Sequence, residues 1–176
     1  MSESNNDSTK TVGLLLVGCG CLVAGIFIVG VLAAIAIPAF IQFQNRAIAA
    51  EATATIQWQA EQVGEYYRDH CAFPPSLPPT ADPAICCGGE RCTPDETSIQ
   101  AWEDAGIFPP REAMYFSYET ERTGPSTYEI RATADYRCQE PNHTEIIQLR
   151  DDSEAGAHGT DCKVSSEPIV VINEFE

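Results

Sequence analysis

Between Lys10 and Arg46 the chain carries no Asp, Glu, Lys or Arg, whereas about 20 apolar residues suffice for a helix to cross a bilayer. The pattern predicts a transmembrane helix over residues 11–43, preceded by a polar tail or leader at residues 1–10. A cleaved signal peptide is the main competitor, but it would have a basic start and an apolar region of about 7–15 residues. The segment MSESNNDSTK has two acids and one lysine, and the apolar run after it is far longer, so the span is read as a retained anchor.

After the span the pattern changes to one apolar stripe. Ile41, Ile48, Ala52, Ile56, Ala60, Val63 and Tyr67 recur at steps of three, four and seven, which is one face of an amphipathic helix. The pattern predicts a helix over residues 44–70, with Gly64 its only weak point. Residues 71–95, dense in Pro, Gly and Cys, predict a loop held by bridges rather than by a core of its own. IQAWEDAGIFPP predicts a short helical turn around Trp102, closed by Gly106 and the paired prolines. Strand-like runs then start at Ala113, Ser126 and Thr144, with RTGPS as a hairpin connection between the first two and EPIVVINEF as an edge strand. The expected fold class is α+β: a long N-terminal helix, transmembrane in its first half, packed on a small antiparallel sheet over residues 113–176.

Charge and cysteines place this extracytoplasmic domain. Residues 44–176 hold 9 Lys/Arg against 24 Asp/Glu, a net charge of −15, which argues against nucleic acid as a partner. Lys10 and Arg46 flank the span so evenly that the positive-inside rule gives little orientation. Cys71, Cys86, Cys87, Cys92, Cys138 and Cys162 all follow the span, and an even six in a small acidic domain predicts three disulfides of open connectivity. Cys86 and Cys87, being adjacent, are expected to take different partners. Disulfides persist outside the cytoplasm, so residues 44–176 are expected in the periplasm or outside the cell.

The stretch GVLAAIAIPAFIQFQNRA, Gly30 to Ala47, resembles the N-terminal helix of type IV pilins and of the pseudopilins of type II secretion. AWEDAGIFPPREAMYFSYE is similar, more loosely, to the stretch that leads into the first strand of pilin-like proteins. The resemblance implies a structural subunit of a pilus-like filament or secretion pseudopilus. Such a subunit sits in the bacterial inner membrane, self-associates through its N-terminal helix, and meets other pilin-like subunits or the secretion machinery. Family precursors carry a glycine before the apolar segment and an acidic residue five positions into the mature chain. Alignment on Pro38 puts Leu16 and Cys21 at those positions. Gly13 is the processing candidate, although it leaves the segment three residues too long and without the acid. The departures support a second expectation, a non-polymerising, membrane-anchored binding protein with a pilin-like fold. In the filament reading Gly30 and the other small residues allow close helix approach, and Pro38 marks a bend or melted turn that admits the lower helix to a bundle.

No nucleophile motif accompanies the carboxylates, so no enzyme and no cofactor is expected, and His70, His143 and His158 are read as surface residues. LVGC, Leu16 to Cys19, fits a lipoprotein box that would acylate Cys19, but the barely basic leader favours plain apolar packing of Cys19 and Cys21. Cys87-x4-Cys92 and Cys138-x4-His143 approach zinc-ligand spacing without the Cys-x2-Cys knuckle. The acidic stretch Asp151–Asp161 lacks the EF-hand register and reads as a solvated loop. No metal is therefore assigned.

Overall fold

The computed structural model describes residues 5–87, 90–110, 112–135, 138, 143–154 and 161–172, with side chains described from residue 25 onward. The chain divides into two compact units, residues 1–44 and 45–176. One helix, α1 (Asn5–His70), contributes to both and carries Pro38 inside it. Its helical backbone runs through the proline without a melted turn.

In the second unit, α1 buries the stripe Ala52, Ile56, Ala60, Val63 and Tyr67. Ile41, expected on that stripe, is exposed and lies in the first unit. It belongs to the all-round apolar segment, where hydrophobicity has no face. After α1 come a single 3-10 turn at Pro83–Ile85 and the short helix α2 (Glu96–Asp104). Asp95 caps α2 by accepting from the Ser98 N–H at 3.0 Å, as an N-terminal carboxylate does. Gly106, at φ +76°, closes it. The Gly106 N–H donates to Glu103 O at 2.9 Å and the Ile107 N–H to Trp102 O at 3.1 Å, a Schellman closure that needs a left-handed residue.

Five strands follow: β1 (Ser117–Glu121), β2 (Thr127–Ala134), β3 (His143–Asp151), β4 (Val164–Ser166) and β5 (Val170–Ile172). β1, β2 and β3 form an antiparallel meander. β4 and β5 pair side by side along β3, β4 with Leu149–Asp151 and β5 with Thr144–Ile146. β1 begins four residues later than the apolar run at Ala113 suggests. Met114 is instead bridged to Cys92.

The faces of the sheet follow the period of two. Tyr118 and Thr120 of β1, Tyr128, Ile130, Ala132 and Ala134 of β2, and His143, Glu145, Ile147 and Leu149 of β3 are buried. Trp102 and Ile107 complete the core beside them. The opposite face carries a polar ladder in which Arg131 pairs with Glu119 at 2.6 Å and with Glu129, while Gln148 donates to Glu129 at 3.2 Å.

The stretch 71–95 is more than a bridged loop. Phe73 and Leu77 enter the main core, and Ala81, Cys86 and Cys92 form a small cluster of their own. Its backbone also pairs along the outer side of β1: Leu77 N–H to Thr120 O at 3.0 Å, Thr120 N–H to Leu77 O at 3.2 Å, and Thr80 N–H to Tyr118 O at 2.8 Å. This covers an edge that would otherwise offer unpaired groups.

Candidate functional site

Among the described residues, one helix is long and apolar enough to cross a membrane. Its side chains from Gly25 to Gln44 are exposed except Ala33, which is half-buried. Ile26 and Phe27 are each 72% exposed and Phe43 69%. Phe40 and Ile41 are exposed as well, so apolar side chains surround the helix on every side. Gly30 has open space where a Cβ would stand. Pro38 cannot donate to the Ala34 carbonyl, four residues earlier, so that carbonyl loses its helical partner. Gly30, Ala34 and Pro38 fall at steps of four and so share one helix face. Gly13, Cys19 and Cys21 lie in the helical backbone of α1, and their side chains are outside the described residues.

The second candidate region is the cysteine set. Cys71–Cys162, Cys86–Cys92 and Cys87–Cys138 are bonded, spanning 91, 6 and 51 residues. Cys86 and Cys87 indeed take different partners. Cys87, Cys92 and Cys138 are therefore committed to sulfur and do not present thiolates to zinc. Cys71, at φ 50°, turns the chain out of α1, and Cys138, at φ 52°, is the other non-glycine residue described in the left-handed region. The bridges tie the end of α1 to the segment before β4, and the stretch 71–95 to the segment after β2.

The third is a buried polar pocket under α1 that the sequence reading missed. His143 and Glu145 are only 4% and 1% exposed, and His143 Nε2 lies 3.4 Å from Glu145 Oε1. Thr53 Oγ1 donates to Glu145 Oε2 at 2.7 Å, joining α1 to β3. Phe116 meets the His143 ring edge-on at 5.7 Å. His143 is thus not a surface residue: pairing of His143 with Ala134 in the register of β2 and β3 turns it to the helix side. The signal was the alternation Glu145, Ile147, Leu149 in TEIIQLR, which puts the glutamate on the core face. Nearby, burial pushes the Tyr118 hydroxyl well above the usual tyrosine range. The Tyr128 hydroxyl is pushed up to about 12, chiefly by burial, and sits 2.6 Å from Thr120 Oγ1 and 3.0 Å from Pro75 O.

His70 is exposed, with Nδ1 2.9 Å from the Tyr66 carbonyl oxygen, and His158 falls outside the described residues. Of the acidic stretch, Asp151 accepts from the Ser153 N–H at 2.8 Å, and Ser153 in turn bonds the Lys163 backbone. Residues 155–160 lie outside the described residues. Among the described residues no three His, Cys, Asp or Glu side chains group as a metal site. No family model, no curated protein and no solved structure matches this chain.

Proposed function

We propose that the protein is a structural subunit of a type IV pilus-like filament or secretion pseudopilus, held in the bacterial inner membrane before assembly, with residues 45–176 in the periplasm or outside. One observation carries the reading: a single 66-residue helix exposes apolar side chains all round between Ile26 and Phe43 and buries one stripe against an antiparallel sheet in its last third. Its role is assembly rather than catalysis, with other copies of the chain or other pilin-like subunits as partners. The face formed by Gly30, Ala34 and Pro38 supports this, since small residues let helices approach closely. A neighbouring helix could then offer a donor to the Ala34 carbonyl.

Leu16 and Cys21, standing where family members have a cleavage glycine and an acid, favour a second reading, a permanently anchored protein that does not polymerise. Cysteine cross-linking in native membranes, combined with mass spectrometry of the mature N-terminus, separates the two. A ladder of cross-linked oligomers with cleavage near Gly13 is expected for the subunit. A monomer that keeps Met1 overturns it in favour of the anchor.

A further inference from the structure

The last turns of α1 and the end of α2 enclose an open cleft of about 880 Å³. Three aromatic rings, Trp58, Tyr66 and Phe108, line it together with three carboxylates, Glu65, Asp69 and Asp104. Trp58 is 44% and Phe108 57% exposed. Phe108 is held in place by its backbone: its N–H donates to Gln62 Oε1 at 2.9 Å, and its carbonyl accepts from Gln62 Nε2 at 3.3 Å. Tyr66 is braced by stacking on His70, ring centroids 4.1 Å apart. The backbone of Phe108 and the ring of Tyr66 are thus held in place, and Trp58 and Phe108 stand partly in water rather than in the core.

Among the described residues, the carboxylates Glu65, Asp69 and Asp104 give the cleft a negative lining, and no Lys or Arg among those residues lines it. Arg68 lies 3.9 Å from Glu65, and both side chains are mostly exposed, so the pair neutralises little. α1 ends at His70 and α2 at Asp104, so two helix C-termini, each with a partial negative charge, add to the three carboxylates. Aromatic faces beside carboxylates favour organic cations, which gain from the ring quadrupole and from the charge together.

We propose that this cleft binds a basic peptide segment of a partner protein, with lysine or arginine side chains laid on Trp58 and Phe108 and paired with Asp69 and Asp104. Charge complementarity excludes a second copy of this domain, which is itself strongly acidic. A volume in the range that holds drug-sized ligands is large for a single ammonium group and suits several peptide residues. The proposal does not depend on whether the chain polymerises.

The test is calorimetric titration of the full chain in non-ionic detergent with the acetylated, amidated peptide Gly-Arg-Gly-Arg-Gly. Saturable binding is expected, weakened by salt and absent when both arginines are replaced by glutamine. Trp58→Ala should weaken it roughly threefold to thirtyfold, the span between an exposed and a desolvated cation–π contact. The double variant Asp69→Asn, Asp104→Asn should abolish it, while Glu121→Gln with Glu154→Gln, which removes equal charge elsewhere, should leave it unchanged. The proposal is overturned by no saturable binding or by an equal loss in the control pair. It is overturned equally if argininamide binds as tightly as the peptide, or if a neutral oligosaccharide occupies the cleft instead.

Discussion

The three disulfides make a quantitative prediction because their loops differ so much in length. Cross-linking removes loop-closure entropy from the unfolded chain, and the loss grows with the logarithm of loop size. For the separations of 91, 51 and 6 residues, the chain-entropy relation gives about 4.6, 4.1 and 2.2 kcal/mol. The bridges are not independent. With Cys87–Cys138 intact, the path from Cys71 to Cys162 shortens to about 40 residues, and the contribution of that bridge falls to about 3.9 kcal/mol. Removing either long bridge should therefore cost about 4 kcal/mol, and removing Cys86–Cys92 about 2 kcal/mol. Each pair is replaced by alanine, since a serine hydroxyl at buried Cys86, Cys92 or Cys162 would add its own unsatisfied group. Urea unfolding of residues 45–176 within the detergent-solubilised chain, followed by near-ultraviolet circular dichroism, gives the three midpoints. If loss of the six-residue loop cost as much as loss of the longest, loop closure would not be the source of the stabilisation.

Four further outcomes are expected. Gly64→Ala should stabilise the domain by about 0.5–1 kcal/mol in the same unfolding assay, because helix propensity favours alanine and its Cβ would meet Val164 Cγ1 at an ordinary 3.6 Å; a loss of stability would show that α1 and β4 are packed too closely for a methyl group. The Tyr67 hydroxyl, followed by the Ser153 N–H, holds the Asp151 carboxyl below its usual range, so its contribution is complete above the unfolded pKa near 4 and is lost as pH falls through the lowered value; Asp151→Asn should flatten that part of an acid-unfolding curve, and an unchanged curve refutes the pairing. Trp102→Phe should cost about 1–3 kcal/mol, since Trp102 is fully buried and its Nε1–H donates to Pro78 O at 2.9 Å; amide exchange in α2 should rise with it. Gly30→Leu should leave the disulfides and sheet unchanged but remove oligomers from the membrane cross-linking ladder, and an unaltered ladder would exclude this face from assembly.

The helix and the main strands were legible because their signals are periodic. Ala52, Ile56, Ala60, Val63 and Tyr67 can share a face only in a helix, and Tyr128, Ile130 and Ala132 only in a strand. β4 and the pairing of the stretch 71–95 carry no period of their own. β4 is three residues, Val-Ser-Ser, and exists because β3 offers an edge to it. Pairing of the stretch 71–95 with β1 depends on contacts across some 40 residues of sequence. The polar pocket is masked in the sequence because histidine and glutamate are usually solvated, although His143 and Glu145 occupy core positions in the alternation of β3. Glu145 is tolerated there because Thr53, 92 residues away in sequence, supplies a hydrogen bond.

The first unit raises a different energetic question, because its described side chains from Gly25 to Gln44 are almost all exposed. Eleven large apolar side chains between Ile26 and Phe43 are exposed, and leaving them in water rather than in an apolar medium costs on the order of 20 kcal/mol. That exceeds the usual net stability of a folded domain, so water is not the working solvent of this segment. Lipid removes that penalty but leaves a second one, since the Ala34 carbonyl opposite Pro38 finds no donor in hydrocarbon. A lone anchor must bear this defect, or meet it with local adjustment of its own backbone. In the proposed bundle, the spacing that puts Pro38 and Gly30 one turn to either side of Ala34 would leave the carbonyl where a neighbouring helix can come closest. In the proposed assembly, a side-chain donor brought close to that carbonyl would make the proline less costly than in a monomer. Such a difference would favour the proposed assembly without any new contact in residues 45–176.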